Sequence, residues 1–367
     1  MKIERANMYH LRMPLRSAFE TSFGRIQERD GILVEVFCQG IVGYGECAAD
    51  RNPGYSYETA FTAWHVLRDC LFPSVFGMEI AEPGDVQQLM SWVRGHRMAK
   101  AALEMALWDV WGKQRDQSLV ELLGGMRRRV LVGVSVGIQE SIPLLLRVVE
   151  SYLQQGYKRI KIKIKPGRDV AETQALRNAY PGLNLQVDAN SAYTLDTAST
   201  LAPLDDLNLL LIEQPLADDD LWDHSKLQHR FKTPLCLDES ILEVRHARQA
   251  LEMKAAGVIN IKVGRVGGLN EAKAIHDLCL SKEIPVWCGG MLETGIGRAA
   301  NLALASLPGF TLPGDISATE RYYARDITHE RFALNSDSTI DVPREKGLGV
   351  TIDPQALNLF TVNTLQV

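Results

Sequence analysis

The chain has 367 residues, 46% of them hydrophobic and 23% charged, with a formal net charge of −5. These are ordinary globular values, and the mildly acidic balance leaves no footprint for nucleic acid or for an anionic membrane surface. The length exceeds what one hydrophobic core usually serves, so two domains, or one barrel with an addition, are expected.

The first residues, Met1 to Arg16, contain no apolar core of signal-peptide length, and no run of about 18 apolar residues follows anywhere. Six scattered cysteines form no Cys-x-x-Cys and read as small core residues of a reduced compartment, so a cytoplasmic protein is expected. Strand-like segments at 31–38 and 41–46 come first. A helical stretch then runs from about Met98 to Leu123 and stops at Gly124-Gly125, a C-cap signal.

From residue 130 onward the chain repeats one unit. Short apolar, β-branched runs at 130–137, 159–164, 185–190, 209–215, 235–240, 258–263, 285–290 and 311–316 alternate with amphipathic stretches. Alternating strand and helix implies a parallel sheet, and eight units at this spacing imply a TIM-like barrel with its site at the strands' C-terminal ends. A doubly wound open sheet would share this periodicity. The expected division is an α+β capping domain over 1–126, a barrel domain over 127–320, and a tail over 321–367 that returns to the cap.

The charges on these strands keep one phase. Lys161 and Lys163 are two apart, so a strand points both to one face. From Lys163 the next in-phase charges are Asp188, Glu213 and Asp238, each 25 positions on, and then Lys262 after a further 24. A single aspartate at a strand end usually caps a helix or forms a turn, and a single lysine is usually solvated. Five in phase inside apolar runs are different. Unpaired buried charge costs several kcal/mol per ion, so these groups need one another or a metal. Three carboxylates with no histidine or cysteine among them favour a hard cation, Mg²⁺ first and Mn²⁺ as a substitute, over zinc. Lysines beside such a cation suit removal of a proton next to a carboxylate, because nearby positive charge and desolvation lower a lysine pKa toward the working range.

At Lys161-x-Lys163, Asp188, Glu213, Asp238-Glu239-Ser240 and Lys262 the sequence resembles the enolase superfamily, in its muconate-lactonizing-enzyme group. The resemblance covers essentially the whole chain and implies a (β/α)7β barrel under a cap built from both chain ends. It implies Asp188, Glu213 and Asp238 as metal ligands, Lys163 as base, Lys161 as the neighbour that tunes it, and Lys262 on the opposite face. Asn190 and Glu239 would orient the metal or Lys262.

Finer motifs resemble the branch of o-succinylbenzoate synthases related to N-succinylamino acid racemases. They are Gly289-Gly290-Met291-Leu292-Glu293-Thr294-Gly295-Ile296-Gly297-Arg298, Pro166-Gly167, Pro313-Gly314-Asp315-Ile316-Ser317 and Arg321-Tyr322-Tyr323. That branch implies Ser135 and Met291 near the substrate and capping loops at 19–23, with Phe19 and Phe23, and at 50–55 over its far end. Phe19 and Phe23 read equally well as domain-interface packing. Arg265 would lie at the substrate and act on racemase capability through Lys262, while Val263 stands where many relatives carry proline.

The implied activity is Mg²⁺-dependent dehydration of 2-succinyl-6-hydroxy-2,4-cyclohexadiene-1-carboxylate through an enediolate, a step of menaquinone synthesis. The alternative is racemisation of N-succinylamino acids, or both reactions in one protein. Dipeptide epimerases usually carry Asp-x-Asp on the eighth strand, where this chain has Asp315-Ile316-Ser317, and the Gly-Gly-Met-Leu-Glu segment argues against muconate cycloisomerisation. A non-catalytic binding scaffold would have no use for two opposed lysines. The expected partner is a small carboxylate substrate, in a homo-oligomeric protein.

Overall fold

The computed structural model describes residues 1–367. The chain opens with three antiparallel strands, β1 (Arg5–Thr21), β2 (Gly24–Cys38) and β3 (Ile41–Cys47). Along β2, Ile32, Val34 and Val36 turn one apolar face inward. A helix, α1 (Arg97–Arg115), lays Ala99, Ala102, Leu103 and Ala106 on that face, and together they form a core separate from the barrel's. The packing is close. A Cβ on Gly45 would lie 1.9 Å from the Ala102 carbonyl oxygen, and one on Gly43 would lie 2.2 Å from that of Ala106.

The single helix expected over 98–123 is broken. Asp116 takes a left-handed conformation with φ 54° and ends α1, and Ser118 then starts a second, short helix, Leu119–Leu123, through a capping box with Glu121. Gly124, with φ 83°, caps that short helix. Periodicity carried the apolar pattern through the break, but a local turn at a cap residue leaves almost no periodic signal.

The second body is a parallel sheet of seven strands in sequential order. These are β4 (Val134–Val136), β5 (Arg159–Lys163), β6 (Asn184–Asp188), β7 (Ile212–Glu213), β8 (Leu235–Leu237), β9 (Val258–Ile261) and β10 (Val286–Cys288). The eighth expected strand, 311–316, is not a regular strand, yet its backbone bonds to both edges of the sheet. Gly133 N–H donates to the Gly314 carbonyl at 2.7 Å, and Asp315 N–H donates to that of Cys288 at 2.9 Å. The segment thereby curls the sheet shut, with proline at position 313 limiting the ladder it could form.

The tail divides between the two bodies. Thr339–Asp341 pairs with Arg129–Leu131 beside the barrel, and Thr361–Gln366 adds a fourth strand to the cap sheet along β1. Two buried carboxylates from the cap also reach barrel helices. Glu46 on β3 accepts from Thr294 and Gly297 N–H groups at the start of Gly295–Ala305, and Glu104 on α1 accepts from Leu269 N–H at 2.6 Å at the start of Leu269–Ser281. Each satisfies helix-terminal donors that would otherwise be buried without partners. No helix is long and apolar enough to cross a membrane.

The close approach of β3 and α1 sets a test. Gly45→Ala should lower the unfolding free energy by about 1–3 kcal/mol through overpacking, read as a fall in melting temperature. Gly182→Ala, where an added Cβ meets nothing within 4 Å, should melt close to wild type. Equal melting of the two variants would contradict the packing described.

Candidate active site

Side chains from the C-terminal ends of the strands converge on one centre because neighbouring parallel strands run in register there. Lys163 pairs with Asp188 across β5 and β6, and Asp188 with Glu213 across β6 and β7. Asp238 follows β8 and Lys262 follows β9. Asp188, Glu213 and Asp238 are fully buried, and each offers an oxygen within 4.8 Å of the other two.

Cations surround this cluster. Lys163 Nζ donates to Asp188 Oδ2 at 2.6 Å and to Asn190 Oδ1 at 2.8 Å. Lys161 Nζ lies 2.8 Å from Glu213, 3.2 Å from Asp188 and 2.6 Å from Asp315. Lys262 Nζ donates to Asp238 Oδ2 at 2.7 Å, and the Arg265 guanidinium donates to Asp238 Oδ1. Lys163 and Lys262 stand on strands four steps apart, so they approach the cluster from different sides.

Burial and neighbouring charge compete at each group. Burial alone would discharge Lys161, but the carboxylates of Asp315, Glu213 and Asp188 outweigh it and hold the ammonium well above the ordinary lysine value. Lys262 is likewise raised, burial being overcome by Asp238, Tyr55 and Glu239. Burial would raise Asp238, yet Lys262 and Arg265 bring it below the usual carboxylate range. Glu213 moves the other way, pushed up by burial and by the Asp188 carboxylate. Three crowded carboxylates of which one resists ionising form a set that a cation would relieve. Lys161 stands charged beside Lys163.

The remaining expected residues fall into three places. Asn190 links Lys163 to Glu239, donating to Glu239 Oε1 at 2.8 Å. Burial, Asp238 and Asp188 push Glu239 up to about 8. Phe19, Phe23, Ser135 and Met291 line a cavity together with Lys161, Lys163, Lys262 and Asp315, under the cap loops. The Ser135 hydroxyl is buried there with no partner. Arg265, expected at the substrate, lies instead behind Asp238. Its guanidinium also donates to the Ile241 and Asn260 carbonyl oxygens, so it is consumed in holding the segment after Asp238 and does not line the cavity.

Several participants escaped the sequence reading. Asn260 donates to Glu213 Oε1 at 2.8 Å, and Arg159 pairs with Asp315 at 2.7 Å. Both stand on the inward face two positions before an expected lysine, so strand alternation would have found them. Gln214, at φ 38°, holds Asp238 N–H at 2.9 Å and Ser240 Oγ at 2.7 Å. Tyr55, from the cap, donates to Asp238 Oδ1 at 2.9 Å, and no local signal marked it. Gly289 has a spatial reason: a Cβ there would meet Asn260 Oδ1 at 2.4 Å and Lys262 Cε at 2.7 Å.

Asp315 balances two buried cations, Arg159 and Lys161. Burial would raise its pKa, but those two charges depress it, so its contribution to stability is present above the unfolded value, about 3.9, and is lost as pH falls through the folded one. Asp315→Asn should therefore cost roughly 3–5 kcal/mol in urea unfolding at pH 7, with the gap from wild type narrowing below about pH 4. An unchanged midpoint at pH 7 would show that the cations have other compensation.

Comparison with known proteins agrees with this geometry. Residues 4–124 match the family described as mandelate racemase / muconate lactonizing enzyme, N-terminal domain, and residues 145–356 match the enolase C-terminal domain-like family. The chain is 47% identical over 362 residues to an o-succinylbenzoate synthase of Geobacillus kaustophilus, covering 98% of this chain and 96% of that one. It is 48% identical over 362 residues to an N-succinylamino acid racemase of an Amycolatopsis species, with 98% of each covered. A solved enolase-superfamily member from Listeria innocua superposes with a TM-score of 0.96 at 41% identity, covering 100% of this chain and 99% of that one. With its lysines and carboxylates at matching strand ends of a capped barrel, the chain belongs to the enolase superfamily, in the muconate-lactonizing-enzyme group.

Proposed function

We propose that the chain is an o-succinylbenzoate synthase, acting in menaquinone synthesis, whose site can also racemise N-succinylamino acids. The observation that carries this is the placement of Lys163 and Lys262 on different sides of one buried three-carboxylate cluster, facing a cavity roofed by Phe19 and Phe23. Relatives that bear each of the two names, at nearly equal identity over the full length, support the pairing of activities.

The all-oxygen donor set of Asp188, Glu213 and Asp238 fits Mg²⁺, with Mn²⁺ as a substitute. Held there, the cation would draw charge from a substrate carboxylate and acidify the adjacent C–H. Lys163 takes that α-proton. In the dehydration it then protonates the departing hydroxyl on the same face, so the C–O bond breaks, a ring double bond forms and water leaves. Lys262, held charged by Asp238, stabilises the negative charge that develops on the substrate without moving a proton. In racemisation Lys262 delivers a proton to the face opposite Lys163. Lys161 keeps positive charge beside Lys163, and Asn190 Oδ1 accepts from Lys163 Nζ at 2.8 Å alongside its bond to Asp188.

The two faces can be tested separately. Lys262→Arg keeps a cation but is a very poor base. With N-succinylamino acids in D₂O, one enantiomer should still exchange its α-hydrogen through Lys163, while exchange of the other falls by roughly 10²–10⁴-fold. Wild-type exchange of both enantiomers would remove Lys262 from the role of second base.

A further inference from the structure

Tyr55 is the cap's contact with the chemistry. Its loop leaves β3 and runs across the barrel mouth to Thr59, the cap residue of the helix Ala60–Val66. Its hydroxyl lies between two groups that the barrel supplies. It donates to Asp238 Oδ1 at 2.9 Å and accepts from Lys262 Nζ at 3.1 Å. The same ammonium stands 4.4 Å from the centre of the Tyr55 ring, within cation–π range. Lys262 is thus held by three contacts: the Asp238 carboxylate, the Tyr55 hydroxyl and the Tyr55 ring. Two of the three belong to the cap.

Lys163 is held differently. Its partners, Asp188 and Asn190, both come from the barrel. The cap loop therefore touches the proton-transfer group on one face of the site and leaves the other to the barrel. The loop is itself anchored. Arg29 of β2 donates from Nε to the Met291 carbonyl at 3.1 Å and from Nη1 to that of Ala49 at 2.9 Å, fixing the loop's start against the barrel segment after β10. Phe23 packs near the Tyr55 ring, 6.5 Å between centres, so the two cap loops touch each other.

We infer that Tyr55 is a positioning residue for Lys262, by which seating of the cap loop aligns that lysine, and not Lys163, for proton transfer. A long, flexible side chain with one carboxylate partner can swing about it. The hydroxyl and the ring fix the direction in which Nζ points, and proton transfer depends on that direction more steeply than charge stabilisation does. Loss of the hydroxyl should thus harm steps in which Lys262 moves a proton, and spare steps in which it serves only as a charge. This rests on the proposed function, since it assigns Tyr55 to one of two lysine-mediated exchanges.

The test is Tyr55→Phe, which keeps the ring and removes the hydroxyl. In Mg²⁺-loaded enzyme in D₂O, α-hydrogen exchange of each N-succinylamino acid enantiomer is followed separately by NMR, alongside the dehydration rate and Mg²⁺ affinity by calorimetry. At saturating Mg²⁺, exchange on the Lys262 face should fall by at least about tenfold more than exchange on the Lys163 face and more than dehydration. Equal slowing on both faces, or slowing that tracks weakened Mg²⁺ binding, would show that Tyr55 acts through loop closure or through Asp238, and would overturn the inference alone. Wild-type protein that exchanges neither enantiomer would overturn the proposed racemisation and the inference with it.

Discussion

The structure depends on an alternating array of buried charge. Arg159, Asp315, Lys161 and the pair Glu213 and Asp188 follow one another through the barrel interior at 2.6–3.2 Å, and Lys262 and Arg265 close on Asp238 at the other side. None of these groups could be buried singly without shifting its pKa or unfolding its surroundings. Each is tolerable because the next has the opposite sign. The array also explains the segment that closes the barrel. That segment carries Asp315, so closing the sheet delivers the counter-charge that Lys161 and Arg159 require. Local backbone strain collects here as well, with Asn190, Ser191 and Gln214 in left-handed conformations within three positions of Asp188 or Glu213.

The cap contributes more than a roof. Leu11, Met13, Leu33, Met105 and Trp108 of the cap join the barrel's core, Glu46 and Glu104 reach into the starts of two barrel helices, and the last strand of the chain belongs to the cap sheet. Those contacts fix the height of the 19–23 and 50–55 loops over the strand ends. The cavity beneath has Lys161, Lys163, Lys262 and Asp315 at its floor, and Phe19, Phe23 and Tyr55 among the cap residues above. Such a shape suits a small molecule that is polar at one end and apolar at the other.

How much of this was legible in the sequence follows from the geometry of strands. Charges spaced at the repeat length on successive parallel strands must converge, because each strand begins and ends at nearly the same level as its neighbour. Lys161 and Lys163 share a face because a strand has period two. The same two rules would have placed Arg159 and Asn260, which went unread because each looked ordinary beside a stronger signal. Tyr55 and Asp315 were out of reach for a different reason. Tyr55 meets Lys262 across 207 positions, and Asp315, on the expected eighth run, meets Lys161 only where the closing segment reaches the first strands, a contact that no local spacing marks. Arg265 was legible as present but not as turned away, since the direction of an arginine depends on which carbonyls its loop exposes.

The central claim is that Asp188, Glu213 and Asp238 hold one divalent cation between Lys163 and Lys262. The most direct measurement is a crystal structure of the protein with Mn²⁺, located by anomalous scattering. The account predicts a single strong peak at about 2.0–2.3 Å from one oxygen of each of the three carboxylates, with both lysine amines on the cavity side of the ion and on different sides of it. A peak held by other residues, or none at saturating Mn²⁺ with the fold intact, would contradict it.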